Sequence, residues 1–364
     1  MKRFAHLSDE QIANKRAAVT PSNTKKANEK AARTFRAYLK EAGKSENFEE
    51  FTEGELDASL GKFYINARQA DGSMYKISSL ENFRHSLNRF LIGPPHSKKF
   101  DICKDLEFRE SNELFKTAKM ELKSKGFGFV EHFPAINDHD LMKMYNSQAV
   151  LGENPRSLQN KVQLDIRLYF CRRGEENMHS MTKSFFQTKM DPESGLKYVI
   201  KCSDERQKNH KDDDKEFFSG LMCEMPGSPI CPVTSYLKYM QKLHPACDSL
   251  WPRPLEKFAI NQSIWYYKKP VGERKLNTFM KTLSRECELS QIYTNHSLRV
   301  TGSTILGRNK CSDAQMMSVT GHKSVSSLSL YQRETNREKI EMSHFIAGAI
   351  TGNGPWPQGK IIGQ

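Results

Sequence analysis

Residues 295–333 read NHSLRVTGSTILGRNKCSDAQMMSVTGHKSVSSLSLYQR, and the reading of this stretch governs the rest of the chain. It separates into three helical segments joined by tight turns. Leu298, Ile305 and Leu306 share one apolar stripe, Ser312-x-x-Gln315 has the form of a capping box, and Gly321 stands where a helix-ending glycine belongs. Ser324 is placed to cap a further short helix through Val325, Leu328 and Tyr331. Short helices with such turns can bring His296, Arg299, His322 and Tyr331 close together.

The chemistry open to those four side chains is narrow. A guanidinium is permanently charged and its planar fork matches two phosphate oxygens. Two imidazoles add proton transfer or neutral hydrogen bonds near pH 7. A phenol ionises only near ~10, so as a nucleophile it needs a positive clamp on its target and a base beside it. The set supplies both, and the electrophile it implies is the phosphorus of a nucleic acid.

In its order and spacing, His296-x-x-Arg299, then Gly321-His322, then Tyr331 resembles the catalytic C-terminal half of the tyrosine recombinases, the phage integrase family. The wording is similar to that of the eukaryotic Crypton-type recombinases and their domesticated, integrase-like animal relatives. The resemblance implies a mainly α fold with a small antiparallel β-sheet: an N-terminal helical, SAM-like core-binding domain followed by an integrase/recombinase catalytic domain. It also implies a nuclear enzyme that breaks and rejoins double-stranded DNA through a 3′-phosphotyrosyl intermediate, with Tyr331 as nucleophile. Such an enzyme needs no cofactor, ATP or catalytic metal and works as a homo-oligomer on its DNA. Two other readings share the motif: a domesticated DNA-binding protein without strand exchange, and a type IB topoisomerase.

Composition agrees with a polyanionic partner. The 364 residues carry a formal net charge of +13, which favours DNA, RNA or an acidic surface without choosing among them. No apolar run approaches the ~20 residues of a membrane helix, and the N-terminus has no signal-peptide stretch, so a soluble intracellular protein is expected. The 8 cysteines form no C-x-x-C pair and read as reduced thiols. Cys223, Cys231, His244 and Cys247 lack the short paired spacing of a zinc knuckle, so packing is their expected role.

Taken in order, residues 1–22 read as a mobile arm and 23–125 as a helical domain. Within it Thr52-x-x-Glu55 has the form of a capping box, and Ser78-x-x-Glu81 is expected to open a helix whose inner face carries Leu80, Phe83, Leu87 and Leu91. That helix's outer face offers Arg84, His85, Asn88 and Arg89; Arg84 and Arg89 are the candidate DNA-backbone contacts. Residues 126–137 read as a linker, 138–348 as the catalytic domain and 349–364 as a disordered tail.

Inside the catalytic domain a dense apolar helix through Leu158, Val162, Ile166 and Phe170 ends at Arg172-Arg173-Gly174. The recombinase resemblance places the first catalytic arginine in an R-x-x-E pattern there, which Arg173-x-x-Glu176 fits, with Arg172 as competitor. It also places a lysine on a hairpin, to protonate the leaving 5′ oxygen. Lys208 in Gln207-Lys208-Asn209-His210 is the first candidate, because the Lys-Asn-His wording resembles Crypton sequences; Lys201 is the second, and the neighbouring Asp212–Asp214, which would repel a phosphate, counts against Lys208. Residues 335–346 suggest a short amphipathic helix, which related recombinases pass to a neighbouring subunit.

Overall fold

The structure is a computed structural model and describes residues 7–8, 11–12, 15, 20–127, 133–202, 220–322, 324–328 and 336–351. The chain divides into two compact units, Met1–Glu131 and His132–Gln364. Both are mainly helical. The mainly α class with a small antiparallel sheet, expected from the sequence, is the class observed.

In the first unit, apolar residues at helical spacing define helices α1 (Ser22–Glu41), α2 (Glu53–Asn66), α3 (Ile77–Ile92) and α4 (Arg109–Ser124). Their inner faces meet in a core that includes Phe35, Leu39, Leu60, Phe63, Leu87 and Leu91. Each large apolar side chain buried in this way contributes about 1.5–3 kcal/mol. α2 begins with the capping box read from the sequence, Glu55 N donating to Thr52 Oγ1 at 3.3 Å and Thr52 N to Glu55 Oε2 at 2.9 Å. It approaches α4 at Gly61, where a Cβ would lie 2.7 Å from Leu114 Cδ1. The buried Asp57 carboxylate fixes the same junction by accepting from Ser111 N at 2.9 Å.

α3 differs from the expectation in two ways. It starts at Ile77 after an extended Lys76, so Ser78 lies within the first turn and does not cap it. Arg84 and Asn88 also do not face outward. They stand at i+4 and i+8 from Leu80, which places them beside the buried stripe. Arg84 donates to Cys103 O at 2.8 Å and Asn112 Oδ1 at 2.5 Å and covers the Phe115 ring, while Asn88 Oδ1 accepts from Ile102 N at 3.0 Å. Both tie down the segment between α3 and α4. Arg89 is the exposed guanidinium of this helix, and it donates to Asn28 and Ser86.

The second unit is built around one buried helix. α5 (Asp138–Tyr145) and α6 (Gln148–Leu151) lead to α7 (Pro155–Tyr169), which Asn154 caps by accepting from Ser157 N at 2.9 Å. Pro155, at the first position, loses no needed N–H there. Nearly every residue from Ser157 to Arg167 is buried, polar ones included. Lys161 pairs with Asp165, and Tyr145 OH donates to the same carboxylate at 2.8 Å. Burial still outweighs Lys161 and pushes the Asp165 carboxyl up to about 6.

Strands β1 (Phe186–Met190), β2 (Lys197–Lys201) and β3 (Met222–Cys223) form the expected antiparallel sheet in the order β1-β2-β3, with Thr188 opposite Val199 and Tyr198 opposite Cys223. Helix α8 (Pro232–Lys242) packs on α7. A second hairpin, β4 (Pro252–Pro254) with β5 (Tyr266–Pro270), was not expected from the sequence. Trp251 and Trp265, beside those strands, are buried and anchor it.

Helices α9 (Glu273–Asn277), α10 (Phe279–Glu286), α11 (Asn295–Arg308) and α12 (Asp313–Thr320) follow, and α13 (Asn336–Thr351) carries exposed Ile340, Phe345 and Ile346. Among the described residues no helix is long and apolar enough to cross a membrane. Nor do three metal-ligating side chains gather there. Cys231 Sγ instead accepts from Thr234 N at the start of α8, and His244 Nδ1 accepts from Ala246 N.

Candidate active site

The site begins with a chain reversal. After α7 the backbone turns at Cys171, whose φ of 42° lies in the left-handed region, and Arg172 N closes the turn on Arg167 O at 3.1 Å. The two following arginines diverge. Arg172 packs over the Phe185 ring and donates to Glu176 O at 3.3 Å, whereas Arg173 pairs with the Glu176 carboxylate at 3.3 Å.

Helix α11 crosses this reversal closely. A Cβ on Gly302 would lie 2.6 Å from Cys171 Sγ and 2.9 Å from Leu168 O, so only glycine permits the approach. The contact brings Arg299, three residues earlier, to Cys171 O, which accepts from Nη1 at 2.5 Å. At the same junction Gly174 lies against the helix start, and a Cβ there would be 3.2 Å from His296 N. The His296 ring sits 4.9 Å from that of Phe133.

His322 arrives from α12. Ser312 and Gln315 form the capping box read from the sequence, and Gly321, with φ 65°, ends the helix in the left-handed conformation expected of it. The imidazole then meets Thr320 Oγ1 through Nδ1 at 2.7 Å and Arg299 Nη2 through Nε2 at 3.0 Å. The Thr320 hydroxyl spends its proton on Met316 O at 2.7 Å, so it can only accept from Nδ1–H. The proton of the neutral ring is therefore on Nδ1, and Nε2 presents a lone pair to the guanidinium.

Electrostatics agree with neutral rings. Burial first, then the charges of Arg299 and Arg173, lowers His296 below its ordinary 6.5. The same causes in the same order, with His296 added, push His322 down to about 4. The structure thus brings Arg173, His296, Arg299 and His322 into one electrostatic group.

The remaining sequence candidates stand differently. Tyr331 and Lys208 lie outside the described residues. Lys201, at the end of β2, has its ammonium 5.5 Å from the centre of the Phe185 ring that Arg172 also covers. Thr320, Cys171 and Phe133 were not singled out from the sequence. Only Thr320 gave a signal, as the hydroxyl directly before Gly321-His322.

Residues 239–338, the stretch that holds His296, Arg299, His322 and Tyr331, match the phage integrase family. No curated protein matches the sequence. Solved structures similar to the chain include the XerA recombinase, at 13% identity over 92% of this chain and 96% of that one, with a TM-score of 0.36. A lambda integrase dimer bound to a COC′ core site matches at 14% identity over 97% and 79%, with a TM-score of 0.45. The Tn1549 transposon integrase in complex with transposon right end DNA matches at 11% over 92% and 98%, with a TM-score of 0.49.

Proposed function

We propose that the protein is a DNA strand transferase of the tyrosine recombinase type. The observation that carries this is the Arg299–His322 contact, inside the stretch that matches the phage integrase family, with Arg173 and His296 in the same electrostatic group. In this reading Arg173 and Arg299 hold the non-bridging oxygens of a scissile phosphodiester and neutralise the charge that grows on them. The Tyr331 phenol attacks phosphorus; a bond forms from phosphorus to the phenolic oxygen and the bond to the 5′ oxygen breaks. Lys208, or Lys201 in its place, gives the departing 5′ oxygen its proton.

His322 Nε2 bears its one lone pair toward Arg299 Nη2, so it takes the phenolic proton by exchanging that partner for the phenol once Arg299 turns to the phosphate. Glu176 holds Arg173 in place. The phosphotyrosyl ester keeps the energy of the phosphodiester it replaces, so rejoining runs by the reverse attack of a 5′-hydroxyl. The charge excess of +13 favours double-stranded DNA as substrate, and Arg89 is the exposed candidate for a backbone contact in the first unit. The exposed apolar residues of α13 suit a helix passed to a second copy on the DNA. A nuclear location belongs to the same proposal and rests on the Crypton-type wording of the motifs.

The experiment is covalent trapping on a pool of nicked DNA duplexes of randomised sequence. The wild-type chain should form a detergent-stable adduct, and Tyr331→Phe should bind the pool without forming one. Binding with no adduct in the wild type points to a DNA-binding relative that has lost the chemistry. Plasmid relaxation without joint molecules points to a type IB topoisomerase.

A further inference from the structure

Two buried polar side chains in the second unit take no part in the chemistry proposed above. Arg167, on α7, is fully buried, yet among the described residues its hydrogen bonds run only to main-chain carbonyls: Gly174 O from Nη1 at 2.6 Å and Leu276 O from Nη2 at 3.0 Å. Its guanidinium lies 5.4 Å from the centre of the Phe279 ring. Asn295, also buried, donates from Nδ2 to the same Leu276 O at 2.9 Å and to Asn277 O at 3.0 Å, and its Oδ1 accepts from Met280 N at 2.9 Å.

The three segments so joined are informative. Gly174 directly follows Arg173. Asn295 directly precedes His296. Leu276 to Met280 is the junction of α9 and α10, and both side chains meet on its Leu276 carbonyl. From these contacts we propose that Arg167 and Asn295 are positioning residues that lock the Arg173 turn and the His296 helix start to one shared anchor.

Packing alone does not require a guanidinium at this place. Removing that charge from water is costly, and a methionine of comparable volume would fill the space without the cost. What the guanidinium adds is a rigid fork that spans two carbonyls in different segments, which neither methionine nor the single ammonium of lysine can do. Gly174 fits the same account. Its carbonyl accepts from Arg167 while its missing Cβ lets the turn lie against His296 N. The lock deepens the reading of the site as a phosphodiester clamp, because it acts through Arg173 and His296 and touches no substrate itself.

The test compares full-length wild type with Arg167→Met and Arg167→Lys by three readouts: thermal unfolding, NMR titration of the His296 imidazole, and the rate of adduct formation on the nicked duplex pool. Arg167→Met is expected to stay folded, the desolvation cost it removes offsetting in part the donors that Gly174 O and Leu276 O lose, and to bind the duplexes as wild type does. Its adduct rate should fall about 10²-fold, the scale of an ångström-sized misplacement of reacting groups. Its His296 should titrate closer to an ordinary histidine as the Arg173 turn drifts away. Arg167→Lys should show the same two changes, and it decides the matter if the methionine variant fails to fold. A folded variant with wild-type His296 titration and wild-type adduct rate overturns the lock. If wild type forms no adduct while the variants still shift His296, the lock stands and the strand-transfer reading fails.

Discussion

Nη2 of Arg299 lies 3.0 Å from Nε2 of His322, and Nη1 of the same guanidinium lies 2.5 Å from Cys171 O. One side chain thereby joins the reversal that carries Arg173 to the loop that carries His322. Because it is buried, at 5% exposure, the guanidinium can hold this arrangement before any phosphate arrives.

Arg299→Lys keeps the charge and removes the fork. The ammonium cannot reach Cys171 O and His322 together, so the adduct rate on nicked duplexes should fall by about 10²-fold or more. Arg299→Ala should also cost about 1–3 kcal/mol in urea unfolding, since Cys171 O loses its buried donor. A lysine variant that reacts at the wild-type rate would show that the fork is not used.

Thr320→Val removes the acceptor for Nδ1–H with little change of shape. His322 then loses one of the two contacts that orient its ring, and adduct formation should slow by roughly 10- to 100-fold while the unfolding midpoint moves little. The ¹⁵N shifts of the ring give the check. They should report an Nδ1–H ring in both, because Arg299 still donates to Nε2, with the Nδ1 shift moved in the variant by loss of the Thr320 acceptor.

Gly302→Ala places a methyl group 2.6 Å from Cys171 Sγ and 2.9 Å from Leu168 O. Relief requires α11 to move off the end of α7, which should destabilise the chain by about 1–3 kcal/mol and lengthen the Arg299 contact to Cys171 O. Urea denaturation measures the first effect. An alanine variant as stable as wild type would mean the two helices are not so close.

Acid should act through the histidines. His322 is held down to about 4 and His296 lies below its ordinary 6.5, so between about 6.5 and 4 the unfolded chain binds more protons than the folded one. Their contribution to stability is complete above 6.5 and is lost progressively as pH falls toward 4. His322→Asn should flatten that part of the stability profile. A bound phosphodiester offsets the field of the two arginines, so adding nicked duplex should move the His322 titration upward; a downward shift would place the phosphate elsewhere.

The legible part of the site is the part held by local rules. His296 and Arg299 share a helix face at i and i+3, and Gly321 fixes the exit before His322 through its own left-handed φ. The capping boxes at Thr52 and Ser312 were legible for the same reason. Contacts made across the fold were not. Arg167 and Asn295 look in sequence like ordinary polar residues, and only the meeting of α7, the α9–α10 junction and α11 gives them partners. Arg84 was misread because a flanking position on a helix can face solvent or a neighbouring loop, and the loop before α4 covers it. The β4–β5 hairpin was missed because Pro252 and Pro254 mark a turn in sequence, while burial of Trp251 and Trp265 makes it an edge pairing.

The identity of the nucleophile is tested most directly by digesting the trapped protein–DNA adduct and sequencing the peptide that remains on the DNA. The account predicts a single linkage, from the Tyr331 oxygen to the 3′-phosphate, with a free 5′-hydroxyl on the released strand. A linkage at another residue, or at the 5′ side of the break, would contradict it.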